Sequence, residues 1–110
     1  MDRTADKYEI TGLSSEKLEI IRQAVARSPE VEKCILFGSR AKGNYRRGSD
    51  VDLVLLGKGV DEKTRFNVSD FLNEETLLPY FFDVLIFDKI ENPELIDHIN
   101  RIGKIVYRRD

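Results

Sequence analysis

Two aspartates stand two residues apart in Asp50-Val51-Asp52-Leu53-Val54-Leu55-Leu56, and a third, Asp83, interrupts Tyr80-Phe81-Phe82-Asp83-Val84-Leu85-Ile86-Phe87. Both runs otherwise read as core strands. A buried carboxylate without a partner costs several kcal/mol or stays protonated, so each of these needs a cation, a cationic side chain or an exposed strand end. Residues two apart on a strand project from one face with α-carbons about 6.5 Å apart, which lets Asp50 and Asp52 converge on one ion. Asp83 adds a third oxygen donor if its strand lies alongside; taken alone, it reads equally well as a strand-end residue facing solvent. Three carboxylates with no His or Cys nearby form a hard-oxygen set suited to Mg²⁺ or Mn²⁺, completed by phosphate oxygens and water.

The preceding loop supplies the opposite charge. Gly38-Ser39 follows the apolar run Val31 to Phe37 and opens Arg40-Ala41-Lys42-Gly43, so backbone N–H groups at a helix start, with the Ser39 hydroxyl, can cradle phosphate. From Lys33 to Ser49 there is no acidic residue, while Lys33, Arg40, Lys42, Arg46 and Arg47 are all cationic. Standing alone, that stretch would read most simply as a glycine turn with a solvated basic face. Beside three carboxylates it suits a metal–triphosphate site, with cationic groups and amides for the phosphate tail and carboxylates for the bridging ion. Neither a Gly-x-Gly-x-x-Gly nor a Gly-Lys-Ser/Thr string is present, which excludes the Rossmann and P-loop solutions.

These residues need a scaffold, and the apolar spacing outlines one. Leu18, Ile21 and Val25, widened by Ile20 and Ala24, form the stripe of an amphipathic helix capped by Ser14 or Ser15 and stopped at Ser28-Pro29. Val31–Phe37, Val51–Leu56 and Tyr80–Phe87 read as strands. Between the last two, Val68, Phe71 and Leu72 recur at helical spacing, with Pro79 as the stop. Asn92 caps a final helix that has Pro93 in its first position and Leu95, Ile96, Ile99 and Ile102 as its stripe; Gly103 ends it, and Lys104–Tyr107 is a short last strand. The order helix, strand, basic loop, strand, helix, strand, helix, strand predicts an α/β (α+β) fold, a small mixed sheet covered by helices on one face.

Composition narrows the class further. With 110 residues, 41% apolar and 35% charged, the chain suits one core and one domain over 1–110, with 1–12 expected to be a loosely ordered amino-terminal segment. Its 18 basic and 20 acidic residues give a net charge of −2, against a general nucleic-acid coat. One cysteine and one histidine exclude a disulfide scaffold or zinc module and favour a reduced, cytoplasmic setting. No apolar run is long enough for a signal peptide or membrane span.

At the motif residues the sequence resembles the polymerase-β-type nucleotidyltransferases, and most closely their minimal (MNT) members. Their pattern is Gly-Ser, ten residues, Asp-x-Asp and a third carboxylate on a later strand; here Gly38-Ser39, Arg40 to Ser49, Asp50-Val51-Asp52 and Asp83 fill those places. The resemblance covers about residues 14–107 as an element order, and Phe37–Leu53 with the Asp83 strand as motifs. It implies a polymerase-β-like palm fold and transfer of a nucleoside monophosphate from a triphosphate, ATP above all, to an acceptor hydroxyl. It assigns Gly38 and Ser39 to the β- and γ-phosphates, Asp50 and Asp52 to two divalent ions, and Asp83 to the ion that activates the acceptor. Arg40 and Lys42 are assigned to the triphosphate on charge and position. Minimal members are typically paired with a small all-helical HEPN protein in a toxin–antitoxin system, the nucleotidyltransferase adenylylating a tyrosine of the HEPN ribonuclease toxin. The resemblance leaves self-association open.

Two other functions compete. One is a binding-only antitoxin or nucleotide-sensing module that neutralises its partner by occlusion, for which the full carboxylate set would be needless. The other is transfer to a small molecule such as an aminoglycoside, which the short chain disfavours. Among single residues, His98 reads as a boundary residue beside the Leu95/Ile99 stripe, Cys34 as an apolar filler, and Phe81, Phe82 and Phe87 as packing, with Tyr80 or Phe81 able to stack on a base. Tyr45 reads as exposed in the basic loop, and Tyr107-Arg108-Arg109-Asp110 as a solvated tail.

Overall fold

The computed structural model describes residues 10–109. Four strands, β1 (Lys33–Phe37), β2 (Val51–Leu56), β3 (Phe82–Ile86) and β4 (Lys104–Arg108), form one mixed sheet in the order β3-β2-β1-β4. β1 pairs antiparallel with both β2 and β4, whereas β2 and β3 run parallel. A parallel neighbour requires a crossover, and the segment between them supplies it: α3 (Glu62–Asp70) continues into one π-helical turn, Phe71–Glu75. The other helices are α1 (Ser15–Ala26), the single-turn α2 (Gly38–Lys42) between β1 and β2, and α4 (Pro93–Ile102) before β4.

The ends of these helices follow from local chemistry. Ser14 Oγ accepts from Lys17 N–H at 3.2 Å to start α1. At α3, Asp61 Oδ1 accepts from Thr64 N–H (2.9 Å) and Thr64 Oγ1 accepts from Asp61 N–H (3.3 Å), a reciprocal cap. Asn92 Oδ1 accepts from Glu94 N–H (2.9 Å), Pro93 opens α4, and Gly103 N–H closes it on Ile99 O at 2.9 Å.

The core has two parts, one on each face of the sheet. Leu18, Ile21 and Val25 of α1 and Val68 and Leu72 of the crossover pack against Cys34, Leu36, Val51, Leu53, Leu55, Phe82 and Val84. On the opposite face Ile99 of α4 packs with Phe37 and Val54, flanked by Ile35, Leu56, Leu85 and Leu95. The expectation of helices on one face is therefore corrected. Val54 and Leu56 make the second face of β2 apolar except at Asp52, and α4 is the cover that this face demands. Of the supposed amino-terminal segment, 1–9 lie outside the described residues, while Thr11 is buried and its carbonyl accepts from Arg40 Nη1 at 2.7 Å. Tyr107 and Arg108, expected in a tail, pair with Cys34 and Lys33 in β4, and Arg109 N–H donates to Glu32 O at 2.9 Å; Asp110 lies outside the described residues.

Candidate active site

The sheet puts Asp52 and Asp83 opposite each other. In the parallel β2–β3 ladder Asp52 is the register partner of Asp83, and across the antiparallel ladder it faces Phe37. Strand alternation directs Asp52 and Asp83 to the α4 face, where Val54 and Leu85 also lie. Asp50 immediately precedes β2, and Val51 N–H donates to Phe81 O (2.9 Å), closing the parallel pair at this end.

The charges of Asp83 and Asp50 act on Asp52. Asp52 is half-buried, and its carboxyl is pushed up from 3.8 to about 6, first by burial and then by the negative charges of Asp83 and Asp50. Among the described residues the ion pairs are Glu19–Arg22, Glu62–Arg65, Glu62–Lys89 and Asp97–Arg101, so no cationic side chain neutralises this trio. Nor do three His, Cys, Asp or Glu side chains among the described residues form a preformed metal cluster. The fit to a divalent cation rests on the donor set: oxygen-only, mutually repelling and without a counter-charge. Asp83 is exposed and lines a groove of about 530 Å³ with Leu85, Lys89, Ile90 and Leu95.

The glycine–serine turn sits directly on this pair. Gly38 has φ +76°, a left-handed conformation, and a Cβ built on it would collide with Asp52 Oδ2. Two constraints thus favour glycine here: the backbone conformation and the approach to the carboxylate. α2 begins at Gly38 and ends one turn later at Gly43, whose N–H donates to Ser39 O (2.9 Å). Ser39 is half-buried at the start of that turn, and Lys42 is exposed at its end.

Arg40 departs from the expectation. Only 3% of it is exposed; its Nη1 donates to Thr11 O, its Nε donates to Ser49 O at 3.2 Å, and its guanidinium lies between the rings of Tyr45 and Tyr80, 4.5 and 4.6 Å from their centroids. A guanidinium so committed braces the loop. Tyr45, expected to be exposed, is half-buried because it stacks on Arg40 and lies over Gly12. Tyr80 is also engaged by Lys17 Nζ, which donates to its hydroxyl at 2.7 Å, so of the two candidate base-stacking rings Phe81, 60% exposed, is the free one. Cys34 is buried with its thiol pushed up to about 12, an inert filler as expected.

Two supporting residues had no signal in the sequence. Asn73, in the π-helical turn, accepts from Phe82 N–H through Oδ1 (2.8 Å) and donates to Phe82 O through Nδ2 (3.1 Å), fixing the residue before Asp83. His98 Nε2 accepts from Gly38 N–H at 2.9 Å.

A mixed sheet with in-register carboxylates on its two central-to-edge strands and a glycine–serine turn against one of them is an α+β, polymerase-β-like nucleotidyltransferase architecture. The chain belongs to the family described as "Polymerase beta, Nucleotidyltransferase", whose model matches residues 19–110. It is similar in structure to "the toxin-antitoxin with AMP-PNP" at 21% identity and TM-score 0.67, covering 87% of this chain and 75% of that one. A mutant of the toxin-antitoxin MntA-HpeT is similar at 19% identity and TM-score 0.69, covering 84% and 74%. At these identities the likeness is one of fold. No curated protein matches the chain. No helix among the described residues is long and apolar enough to cross a membrane.

Proposed function

We propose that this nucleotidyltransferase moves AMP from ATP to a hydroxyl of a protein partner, a tyrosine of a small helical HEPN ribonuclease toxin, the hydroxyl oxygen bonding to the α-phosphorus as the α–β anhydride breaks and pyrophosphate leaves, and thereby acts as a cytoplasmic antitoxin. The observation that carries the reading is the Asp52–Asp83 register with Gly38 pressed against Asp52, in a chain of the nucleotidyltransferase family. The toxin–antitoxin setting draws its support from structural neighbours described in those words, one of them with AMP-PNP.

In this reading Asp50, Asp52 and Asp83 would hold two divalent ions, Mg²⁺ or Mn²⁺, which when bound neutralise charge on the attacking and leaving oxygens. The chain's own residues do the rest. Gly38 and Ser39 set the turn that receives the β- and γ-phosphates, with the Ser39 hydroxyl as donor, and exposed Lys42 attracts the phosphate tail. Arg40 serves through the loop it braces. Asp83, open to the groove on the edge strand, is the carboxylate an incoming hydroxyl meets and the acceptor of its proton. Holding donor and acceptor in one place supplies much of the rate, as in other phosphoryl-type transfers.

The test uses the partner that co-purifies from the native host, incubated with Mg²⁺ and ATP labelled at either the α- or the γ-phosphate. Transfer of the α-label and not the γ-label by wild type, with none by Asp50→Asn/Asp52→Asn, supports nucleotidyl transfer. Transfer of neither label to a partner that is still neutralised overturns it in favour of occlusion.

A further inference from the structure

The one histidine of the chain sits where no packing argument requires it. His98 lies on α4, sixty residues from Gly38 in sequence, yet its Nε2 accepts the Gly38 N–H at 2.9 Å. A backbone amide can only donate, so Nε2 carries the lone pair and the ring hydrogen is on Nδ1. The ring also meets Phe37 in a T-shaped contact, with centroids 6.3 Å apart and planes at 78°. Phe37 is the register partner of Asp52, and Gly38 itself abuts the Asp52 carboxylate. His98, Phe37, Gly38 and Asp52 thus form one contiguous set in which the imidazole is the only element contributed by α4.

We infer that His98 is a positioning residue for nucleotidyl transfer. By taking the Gly38 amide hydrogen it fixes the left-handed turn with Gly38 against Asp52 and leaves Ser39, whose hydroxyl has no hydrogen bond among the described residues, as the group of the turn that faces the phosphates. The hold matters because the turn is short: α2 spans only Gly38–Lys42 and is closed by glycine at its far end, so its own helical bonds do little to fix its start. Its start is instead tied to a ten-residue helix that is anchored through Ile99 in the core on the sheet face that carries Asp52. The inference rests on the nucleotidyl-transfer reading of the site and adds to it a residue outside the Gly-Ser and Asp-x-Asp motifs.

Two variants separate acceptor from ring. His98→Phe keeps an aromatic ring against Phe37 and removes the acceptor; His98→Gln loses the ring and offers an amide oxygen near the position of Nε2. Binding of a non-hydrolysable ATP analogue with Mg²⁺ is measured by calorimetry, and exchange of the Gly38 amide hydrogen by NMR, with thermal melts to establish that each variant is folded. The expected result is a loss of nucleotide affinity of about tenfold in His98→Phe, the scale of one hydrogen bond, with Gly38 exchange faster by a similar factor and both restored to within about threefold in His98→Gln. Wild-type affinity and wild-type Gly38 exchange in folded His98→Phe would overturn the inference, as would a folded His98→Gln no better than His98→Phe. If the wild-type protein binds no nucleotide, the functional reading fails, and wild-type Gly38 exchange in His98→Phe would then refute the hold on its own.

Discussion

Replacing Asp52 by asparagine should make the protein more stable while removing its activity, and the size of the gain should depend on pH. The folded protein holds the Asp52 proton until about pH 6, whereas the unfolded chain releases it near 3.8. Between those values the folded state binds more protons than the unfolded state, so stability falls as pH rises through this window and stays lower above it. About two units at about 1.4 kcal/mol each set a ceiling of about 3 kcal/mol. Asp52 is partly open to solvent, and screening cuts this to about 1–2 kcal/mol. For a domain of this size that corresponds to a rise in Tm of about 5–10 °C. The assay is a series of thermal melts of wild type and Asp52→Asn from pH 3.5 to 8 in chelator-containing buffer. The variant should match wild type at the acid end, gain through the window and plateau above pH 6. An equal gain at every pH, or a variant less stable than wild type at pH 8, would refute the reasoning. Saturating Mg²⁺ should erase most of the gain, because a cation among the carboxylates relieves the repulsion in wild type that asparagine removes by substitution.

Three further substitutions probe the supports. Gly38→Ala imposes a left-handed conformation on alanine and drives its Cβ into Asp52; a loss of about 2 kcal/mol or more in denaturant melts is expected, together with lost nucleotide binding. Arg40→Lys keeps the charge but not the planar group between Tyr45 and Tyr80; it should lower stability by about 1–3 kcal/mol, and unchanged stability with lost nucleotide affinity would show instead that Arg40 touches phosphate. Asn73→Ala strips both partners from the Phe82 backbone and should cost about 1–3 kcal/mol, read as a fall in Tm with faster hydrogen exchange at Phe82.

What was legible in the sequence is what is local in the chain. Gly38-Ser39 and Asp50-Val51-Asp52 declare themselves through spacing, and Asn92-Pro93 and Gly103 mark α4 because caps are decided within a turn. The position of Asp83 opposite Asp52 depends on parallel register, which no local pattern fixes. The side of the sheet taken by α4 was likewise hidden, although β2 held a clue: Val51, Leu53 and Leu55 alternate with an equally apolar Val54 and Leu56, so both of its faces needed cover. Arg40 looked like one more charge in a basic loop; its burial depends on Thr11, Tyr45 and Tyr80 arriving from three segments. His98 and Asn73 act on backbone atoms of distant residues, and side chains that serve a backbone leave no pattern in composition or periodicity.

The most direct test of the central claim is tandem mass spectrometry of the co-purified partner after incubation with this protein, ATP and Mg²⁺, beside an Asp50→Asn/Asp52→Asn control. A mass gain of one or more AMP units is expected, located on a tyrosine and absent from the control. A partner that stays unmodified with ATP, or one modified equally by the double variant, would contradict it.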